Sequence, residues 1–225
     1  MNPVPLQFQP RGDDDLLALV SEHPLAWVVS EDLAALLLPL RPIRDAAGGL
    51  LGFSGHFPRS SRQLERLMAN PRALMLFTGP TVYVSPSWFE NRAQAPTWMS
   101  ISGAFDCALV FSENPAELAS GLRDLVDAME HGRPHPWSVD ELGDRYEKLA
   151  SHIVPFHAEI TSHRAAFRLC QDEDDQTFTE TLRGVRADGG ERIAALMEEF
   201  RPWRKGEPSP ADRQKPPGHL RIISS

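Results

Sequence analysis

The chain has 225 residues and a mass of 25.1 kDa, with 41% hydrophobic and 24% charged residues and a net charge of −8. This length fits one domain with appendages, and the apolar fraction is enough for a core, which excludes a wholly disordered chain. No apolar run reaches the roughly 18 residues of a membrane span, and the N-terminus lacks the pattern of a secretory signal. We therefore expect a cytoplasmic protein with no membrane partner.

The charge is unevenly distributed along the chain. Residues 1–200 hold 17 Lys or Arg against 29 Asp or Glu, a balance of −12, whereas residues 201–225 hold 6 against 2, a balance of +4. A protein that grips DNA needs a basic face, so the acidic body disfavours direct DNA binding. The basic segment is rich in proline and is expected to be extended, either as an arm for a partner or as a solvated terminus.

In chain order, the first half predicts short strands among helices. Acidic residues open a helix at 13–22, which the dipeptide His23-Pro24 ends because a residue before proline avoids helical angles. A buried strand follows at 25–29. The next segment, 34–40, is predicted as a strand, although its leucines and alanines would equally suit a helix. A third strand is expected at 50–57 and an amphipathic helix at 61–70.

The second half predicts longer strands and two well-marked helix starts. Asn114-Pro115 is typical of a helix N-terminus, and Ser138 with Glu141 forms a capping box. A last amphipathic helix is expected at 191–200. The predicted strands are 73–77, 81–85, 98–111 with a break or bulge near Gly103, and the pair 153–161 and 166–169 around a turn at Ser162-His163. Because strands are not regularly followed by crossover helices, a small barrel of the α+β class is favoured over a parallel sheet.

The sequence contains few residues whose spacing suits a metal ion. His131 and His135 have metal-like spacing, but the glycine and prolines around them disfavour a helix that would align both imidazoles. Residues 172–175 are all acidic and could hold a hard cation, although a solvated loop is favoured. Cys107 and Cys170 are too few for a disulfide scaffold. We expect no metal site and no Walker or dinucleotide motif.

Polar residues concentrate where the third strand meets the next helix. His56, Arg59, Ser60 and Ser61 lie there, and an imidazole, a guanidinium, two hydroxyls and free helix N–H groups together suit a phosphate. An ordinary capped turn with a solvated Arg59 is the alternative. His56 is also the one candidate for a general base, with phosphate contact favoured over that role.

Two further segments combine tryptophan with proline-rich turns. Residues 79–89 include Ser85 and Trp88, and residues 95–98 include Thr97 and Trp98. Indole faces stack well on flat aromatic ligands, although packing in the core is the commoner use of tryptophan.

These two segments carry a resemblance to the PaiB family, the "FMN-binding negative transcriptional regulators". Further matches occur in the expected order over about residues 3–185, among them Leu38-Pro39-Leu40, Trp137-Ser138 and residues 167–171. The resemblance implies a flavin-reductase-like split β-barrel, homodimeric, with FMN or a related flat anionic ligand at the dimer interface. It also implies a barrel domain at 1–186, followed by a helix and a basic tail at 187–225.

The resemblance also implies roles for individual residues. His56, Arg59, Ser60 and Ser61 would lie near the phosphate. The isoalloxazine ring or ribityl chain would be contacted by Ser85, Trp88, Thr97 and Trp98. Gln171 would reach the ligand from the partner chain.

The sequence departs from the family pattern where hydrogen-bonding groups are usual. Leu36-Leu37 replaces a Thr-His pair, Met99-Ser100 replaces Asn-Tyr, and residues 57–61 and 170–172 also differ. Each lost hydrogen bond weakens binding by roughly 0.5–1.5 kcal/mol, so the departures predict weaker or altered flavin binding. Three functions remain open: an FMN-binding protein, a regulator acting through a partner, and a flavin-dependent oxidoreductase or specialised biosynthetic enzyme with a repacked apolar pocket.

Overall fold

The computed structural model describes residues 4–204, and its strands form one seven-stranded sheet. The order is β2-β1-β5-β6-β7-β4-β3, and the assigned pairs are antiparallel. The predicted α+β class, mainly β with inserted helices, is confirmed. The strands are β1 Leu25–Ser30, β2 Ala35–Pro39, β3 Arg41–Arg44, β4 Leu50–Pro58, β5 Arg72–Val84, β6 Thr97–Phe111 and β7 Ile153–Arg168.

Six α-helices are present among the described residues. They are α1 Asp13–Glu22, α2 Arg62–Ala69, α3 Pro115–Glu130, α4 Arg145–Ala150, α5 Asp175–Ala187 and α6 Glu191–Arg204. The predicted final helix is confirmed as α6, and most of the predicted basic tail lies outside the described residues. No helix of residues 4–204 combines the length and apolarity that crossing a bilayer requires.

Local capping signals identified helix starts correctly. The Asn114 side chain accepts a hydrogen bond from the Ala116 N–H at 3.0 Å, which fixes the first turn of α3. Ser138 and Glu141 form both halves of the predicted capping box, at the start of a short 3-10 helix, Val139–Leu142. Segment 34–40 is a strand, β2, so the helical alternative is wrong.

Three predicted breaks in the sheet are wrong, because long continuous strands run through them. A Cβ at Gly79 would lie 3.0 Å from the Leu19 side chain, and one at Gly103 would lie 2.8 Å from the Phe105 ring. Both glycines therefore mark close packing inside β5 and β6 rather than a break in the strand, and a bulge at Gly103 stays a prediction. In β7, the Ser162 hydroxyl donates to the Asp106 carboxylate at 2.6 Å, so the expected turn is an exposed, hydrogen-bonded stretch of strand.

Several elements were not predicted from the sequence. The acidic run does not form a loop throughout, since α5 begins at Asp175 and the Asp174 carboxylate accepts from the Thr177 N–H at 2.7 Å. The short strand β3 and the short helix α4 were also missed.

The described residues form two compact units. One, here the barrel unit, comprises Gly12–Gly79 and Ile101–Ala166. The other, here the helical unit, comprises Pro80–Ser100 and the described parts of Met1–Arg11 and Phe167–Ser225. The boundary expected at residue 186 divides the chain differently and stays a prediction.

Phenylalanine side chains form the core of the barrel unit. The Phe53 ring lies 5.0 Å from Phe77 and 5.1 Å from Phe105, and Phe57 lies 5.0 Å from Phe156, measured between ring centroids. These five side chains are at most 1% exposed. Close aromatic pairs of this kind contribute beyond their buried area, so this cluster anchors β4, the strand that carries His56.

The helical unit is held by α5 and α6. The Phe200 ring of α6 stacks on Phe167 at 5.4 Å, and the Arg11 guanidinium lies 4.0 Å from the centroid of the same ring. Arg11 also bonds the Glu199 carboxylate at 2.6 Å. Arg201 lies over Phe178 at 4.2 Å, which ties α6 to α5.

Candidate functional site

The residues predicted to contact a phosphate lie at the end of β4 and the start of α2. Ser61 occupies the N-cap position of α2, yet its hydroxyl makes no capping bond to the helix. Neither Ser60 nor Ser61 has a side-chain hydrogen bond to another described residue. The first turn of α2 therefore keeps N–H groups and two hydroxyls available for an anion.

His56 points away from the phenylalanine core. It lines a small cavity of about 20 Å³ together with Arg41 and His157, beneath α3. Register explains the grouping, because Arg41 and His157 both lie opposite Ser54 on β4, two residues before His56. Burial lowers the pKa of His56 below its usual 6.5, so the imidazole is neutral at neutral pH.

Arg59 is engaged within the chain. Its guanidinium lies 3.3 Å from the Glu113 carboxylate, and its Nε donates to the Ser151 carbonyl at 3.2 Å. Both side chains of the ion pair are about half exposed or more, so the pair contributes little stability. Glu113 therefore competes with any anion that Arg59 would bind.

Ser85 and Trp88 lie in the turn after β5. The Ser85 hydroxyl caps the 3-10 helix Pro86–Trp88, accepting from the Ser87 N–H at 3.2 Å. The Trp88 indole packs directly on Gly184 of α5, where an added Cβ would overlap the ring. The contact gives Trp88 a packing role in the helical unit.

Thr97 and Trp98 lie together at the start of β6. Both line a cavity of about 130 Å³ within the helical unit, here the Trp98 cavity. Trp98 is 60% exposed, and its indole lies 5.5 Å from the Tyr83 ring. Met99, one of the positions predicted to depart from the family pattern, is buried and lines the same cavity.

Gln171 is 1% exposed and is bonded within its own chain. Its side-chain oxygen accepts from the Leu169 N–H at 2.6 Å, and its amide donates to the Phe167 carbonyl at 2.5 Å. These bonds fix the chain where it leaves β7, which gives Gln171 a structural role in this arrangement.

The nine predicted site residues fall into two sets. His56, Arg59, Ser60 and Ser61 belong to the barrel unit, and Ser85, Trp88, Thr97, Trp98 and Gln171 belong to the helical unit. Within the second set, Thr97 and Trp98 line one cavity, whereas Trp88 and Gln171 pack elsewhere.

Sequence reasoning missed several residues beside these sets. Knowledge of the sheet register would have identified Arg41 and His157 as neighbours of His56. The position of α3 would have identified Glu113 as the partner of Arg59. None of the three has a local sequence signal. Among residues 4–204, no group of three or more His, Cys, Asp or Glu side chains is arranged to hold a metal ion.

Comparison with known proteins identifies the class. The family described as "Putative FMN-binding domain" matches residues 4–162, so the chain belongs to this family. The chain is 24% identical over 202 residues to "Protease synthase and sporulation protein PAI 2" of Bacillus subtilis, covering 87% of this chain and 96% of that protein. These two findings support assignment to the PaiB group.

Two solved structures share the fold at low identity. The flavocytochrome Anf3 of Azotobacter vinelandii has a TM-score of 0.52 and 16% identity, covering 70% of this chain and 68% of its own. The conserved hypothetical protein Rv2991 of Mycobacterium tuberculosis has a TM-score of 0.52 and 11% identity, covering 74% of this chain and 91% of its own. The predicted split-barrel architecture is therefore confirmed.

Proposed function

We propose that this protein binds FMN as a homodimer and serves a PaiB-type role in negative control of transcription. The observation that carries the cofactor is the match of the FMN-binding family across residues 4–162, which includes the whole phosphate-binding segment proposed here. When bound, FMN supplies one- or two-electron redox chemistry, while the chain binds and orients it.

The start of α2 suits the phosphate of FMN. The Ser60 and Ser61 hydroxyls are unpaired among the described residues, and the positive end of the helix dipole favours an anion there. Arg59 would add a charge-assisted hydrogen bond once it leaves Glu113. His56 is neutral at neutral pH and would donate a hydrogen bond rather than a charge.

The start of β6 suits the ring or ribityl end of the ligand. Trp98 offers an exposed indole face, and the Thr97 hydroxyl has no hydrogen bond to another described residue. Ser85 would contribute a hydroxyl from the neighbouring turn. Trp88 and Gln171 are proposed to support the site through packing, because their own chain already engages them.

An equilibrium titration with FMN tests the phosphate assignment. Arg59→Ala should raise the dissociation constant by about 10- to 100-fold, the equivalent of a lost charge-assisted hydrogen bond of about 1.5–3 kcal/mol. The matched control is Arg72→Ala, which removes another exposed arginine paired with a glutamate at 3.4 Å and should leave FMN binding unchanged. Equal effects of the two substitutions would contradict the assignment.

The outer face of β1, β2 and β5 suits a second copy of the chain. Trp27 lies opposite Leu37 on β2 and Leu76 on β5, and it is 49% exposed. An apolar row of this kind marks an interaction surface in a soluble protein. Trp27→Lys should convert the dimer into monomers in sedimentation equilibrium, whereas Leu149→Lys, at an exposed leucine of α4, should not. A wild-type monomer at high concentration would contradict the homodimer.

The regulatory role is proposed to depend on a protein partner rather than direct DNA contact. The support is the acidic balance of −12 over residues 1–200, from 17 basic against 29 acidic side chains. Mobility-shift assays with genomic DNA fragments should show no binding at physiological salt. Tight binding that weakens steeply with salt would contradict this version.

A second candidate is a flavin-dependent oxidoreductase or specialised biosynthetic enzyme with a repacked apolar pocket. The observation that favours it is buried Met99 in the wall of the Trp98 cavity, a position where the resemblance predicts a polar residue. FMN titration and turnover measurements on Met99→Asn distinguish a weakened cofactor site from an enzyme with an apolar pocket. Tighter FMN binding without loss of catalytic turnover would favour simple weakening of the cofactor site, whereas loss of turnover would favour the enzyme.

A further inference from the structure

The Trp98 cavity is built from an apolar floor and a polar rim. Its floor includes Val84, Phe89 and Met99, each less than 10% exposed. Trp98 stands at its edge with most of the indole accessible. A mixed lining of this kind is typical of sites for small organic molecules, in which apolar walls supply burial and a few polar groups set orientation.

Three polar side chains of the rim have unused hydrogen-bonding capacity. The Gln94 amide, the Thr97 hydroxyl and the Arg168 guanidinium make no hydrogen bond or ion pair to another described residue. By contrast, the Thr181 hydroxyl in the same wall already donates to the Thr177 carbonyl at 2.7 Å. The rim therefore offers two groups that both donate and accept, and one that only donates.

The volume limits what can enter. The cavity measures about 130 Å³. An engineered apolar cavity of about 150 Å³ holds benzene, whereas sites for drug-sized ligands span about 300–1,000 Å³. One six-membered ring therefore fits inside the cavity, whereas the flavin ring assigned to Thr97 and Trp98 would lie against its rim.

The charged side chains of the rim indicate which ligand charge the cavity favours. Arg168 and the carboxylates of Asp172 and Glu173 put charges of both signs in the lining. A neutral group that accepts a hydrogen bond from a guanidinium and donates one to a carboxylate therefore suits it, and a carboxamide does both. We propose that the Trp98 cavity binds a neutral, single-ring aromatic compound bearing a carboxamide, with its ring over the Val84–Met99 floor and its amide on Gln94 and Thr97.

This inference deepens the proposed function and rests on it for its chemistry. Thr97 and Trp98 are the residues assigned to the flavin ring or ribityl chain, so the bound ring would be a substrate held beside the cofactor. Binding of the ring itself does not require flavin, because the whole cavity lies within the helical unit.

The test is a titration of flavin-free, full-length protein with benzamide, followed by ligand-observed NMR. We expect saturable binding with a dissociation constant on the order of 1 mM. Ala95→Trp fills the cavity mouth and should weaken binding at least tenfold. The matched control is Ala93→Trp, because Ala93 is exposed in the same loop but does not line the cavity, and it should change binding less than twofold.

Charged analogues and a second variant complete the experiment. Benzoate and benzylamine, as its ammonium ion, should each bind at least tenfold more weakly than benzamide. Gln94→Leu should raise the dissociation constant of benzamide at least threefold and leave that of toluene unchanged. This variant provides the test if Ala95→Trp does not fold. Absence of saturable binding, equal binding by Ala95→Trp and wild type, or equal binding of the charged analogues would overturn the proposal. A failure of FMN to bind would leave this result standing, so the two claims fail separately.

Discussion

The contact between Trp88 and Gly184 gives a prediction that depends on one side chain. Gly184 lies inside α5 and Gly121 lies inside α3, so alanine at either position gains about 1 kcal/mol of helix propensity. At Gly121 the added Cβ would meet nothing within 4 Å. At Gly184 it would overlap three atoms of the Trp88 indole, which is a rigid ring.

The magnitudes predict opposite signs for the two substitutions. Overpacking in a well-filled interior costs about 1–3 kcal/mol, and an overlap with ring atoms belongs at the upper end. Gly184→Ala should therefore lower the free energy of unfolding by about 2 kcal/mol, after the propensity gain is subtracted. Gly121→Ala should raise it by up to about 1 kcal/mol.

Urea denaturation of both variants measures these changes, and a double-mutant cycle isolates the contact. In a Trp88→Ala background, Gly184→Ala should no longer destabilise the protein. If Gly184→Ala stabilises the wild-type chain as Gly121→Ala does, the packing role assigned to Trp88 is refuted.

Three further predictions concern charge and titration. Glu113→Gln should tighten FMN binding several-fold, because it frees Arg59 from a carboxylate 3.3 Å away; unchanged affinity in a titration would contradict this. Burial and the neighbouring Asp106 raise the pKa of Cys107 to about 12, so a thiol reagent at about pH 8 should modify Cys107 only after unfolding. Peptide mapping separates it from the partly exposed Cys170, and rapid labelling of Cys107 in the folded protein would contradict its burial. Burial lowers the pKa of His56, so the unfolded chain binds the proton more tightly and His56 destabilises the fold as pH falls through 6.5. His56→Gln should therefore lose less stability than wild type between about pH 8 and about pH 5 in urea titrations, and parallel losses would contradict the assignment.

Elements with strong local signals could be predicted from the sequence. The cap at Asn114 and the box at Ser138 depend on residues three or fewer positions apart, and both form as expected. The predicted breaks in β5, β6 and β7 were wrong, because a glycine or a polar residue can lie in a turn or inside a strand and its sequence neighbours do not decide which. From sequence alone, Gly103 suggests a broken strand, and only the structure shows that Phe105 and Leu19 pack against it. Ser162 likewise suggests a turn, and only the structure shows its hydrogen bond to Asp106.

The candidate site shows the same limit. The sequence indicated Arg59 as a phosphate ligand, but its pairing with Glu113 joins residues 54 positions apart and has no local signature. The tryptophans were ambiguous for the same reason, because only tertiary structure separates Trp88, packed on Gly184, from Trp98, which stands exposed at a cavity. Gln171 likewise could not be recognised as a buried structural side chain from its neighbours in sequence.

The central claim is that this chain binds FMN, and the absorption spectrum tests it most directly. Purified full-length protein, incubated with FMN and freed of excess by gel filtration, should retain the visible bands of a bound flavin, whereas Arg59→Ala should lose most of them. Protein that emerges colourless, and that does not quench FMN fluorescence during titration, would contradict the account.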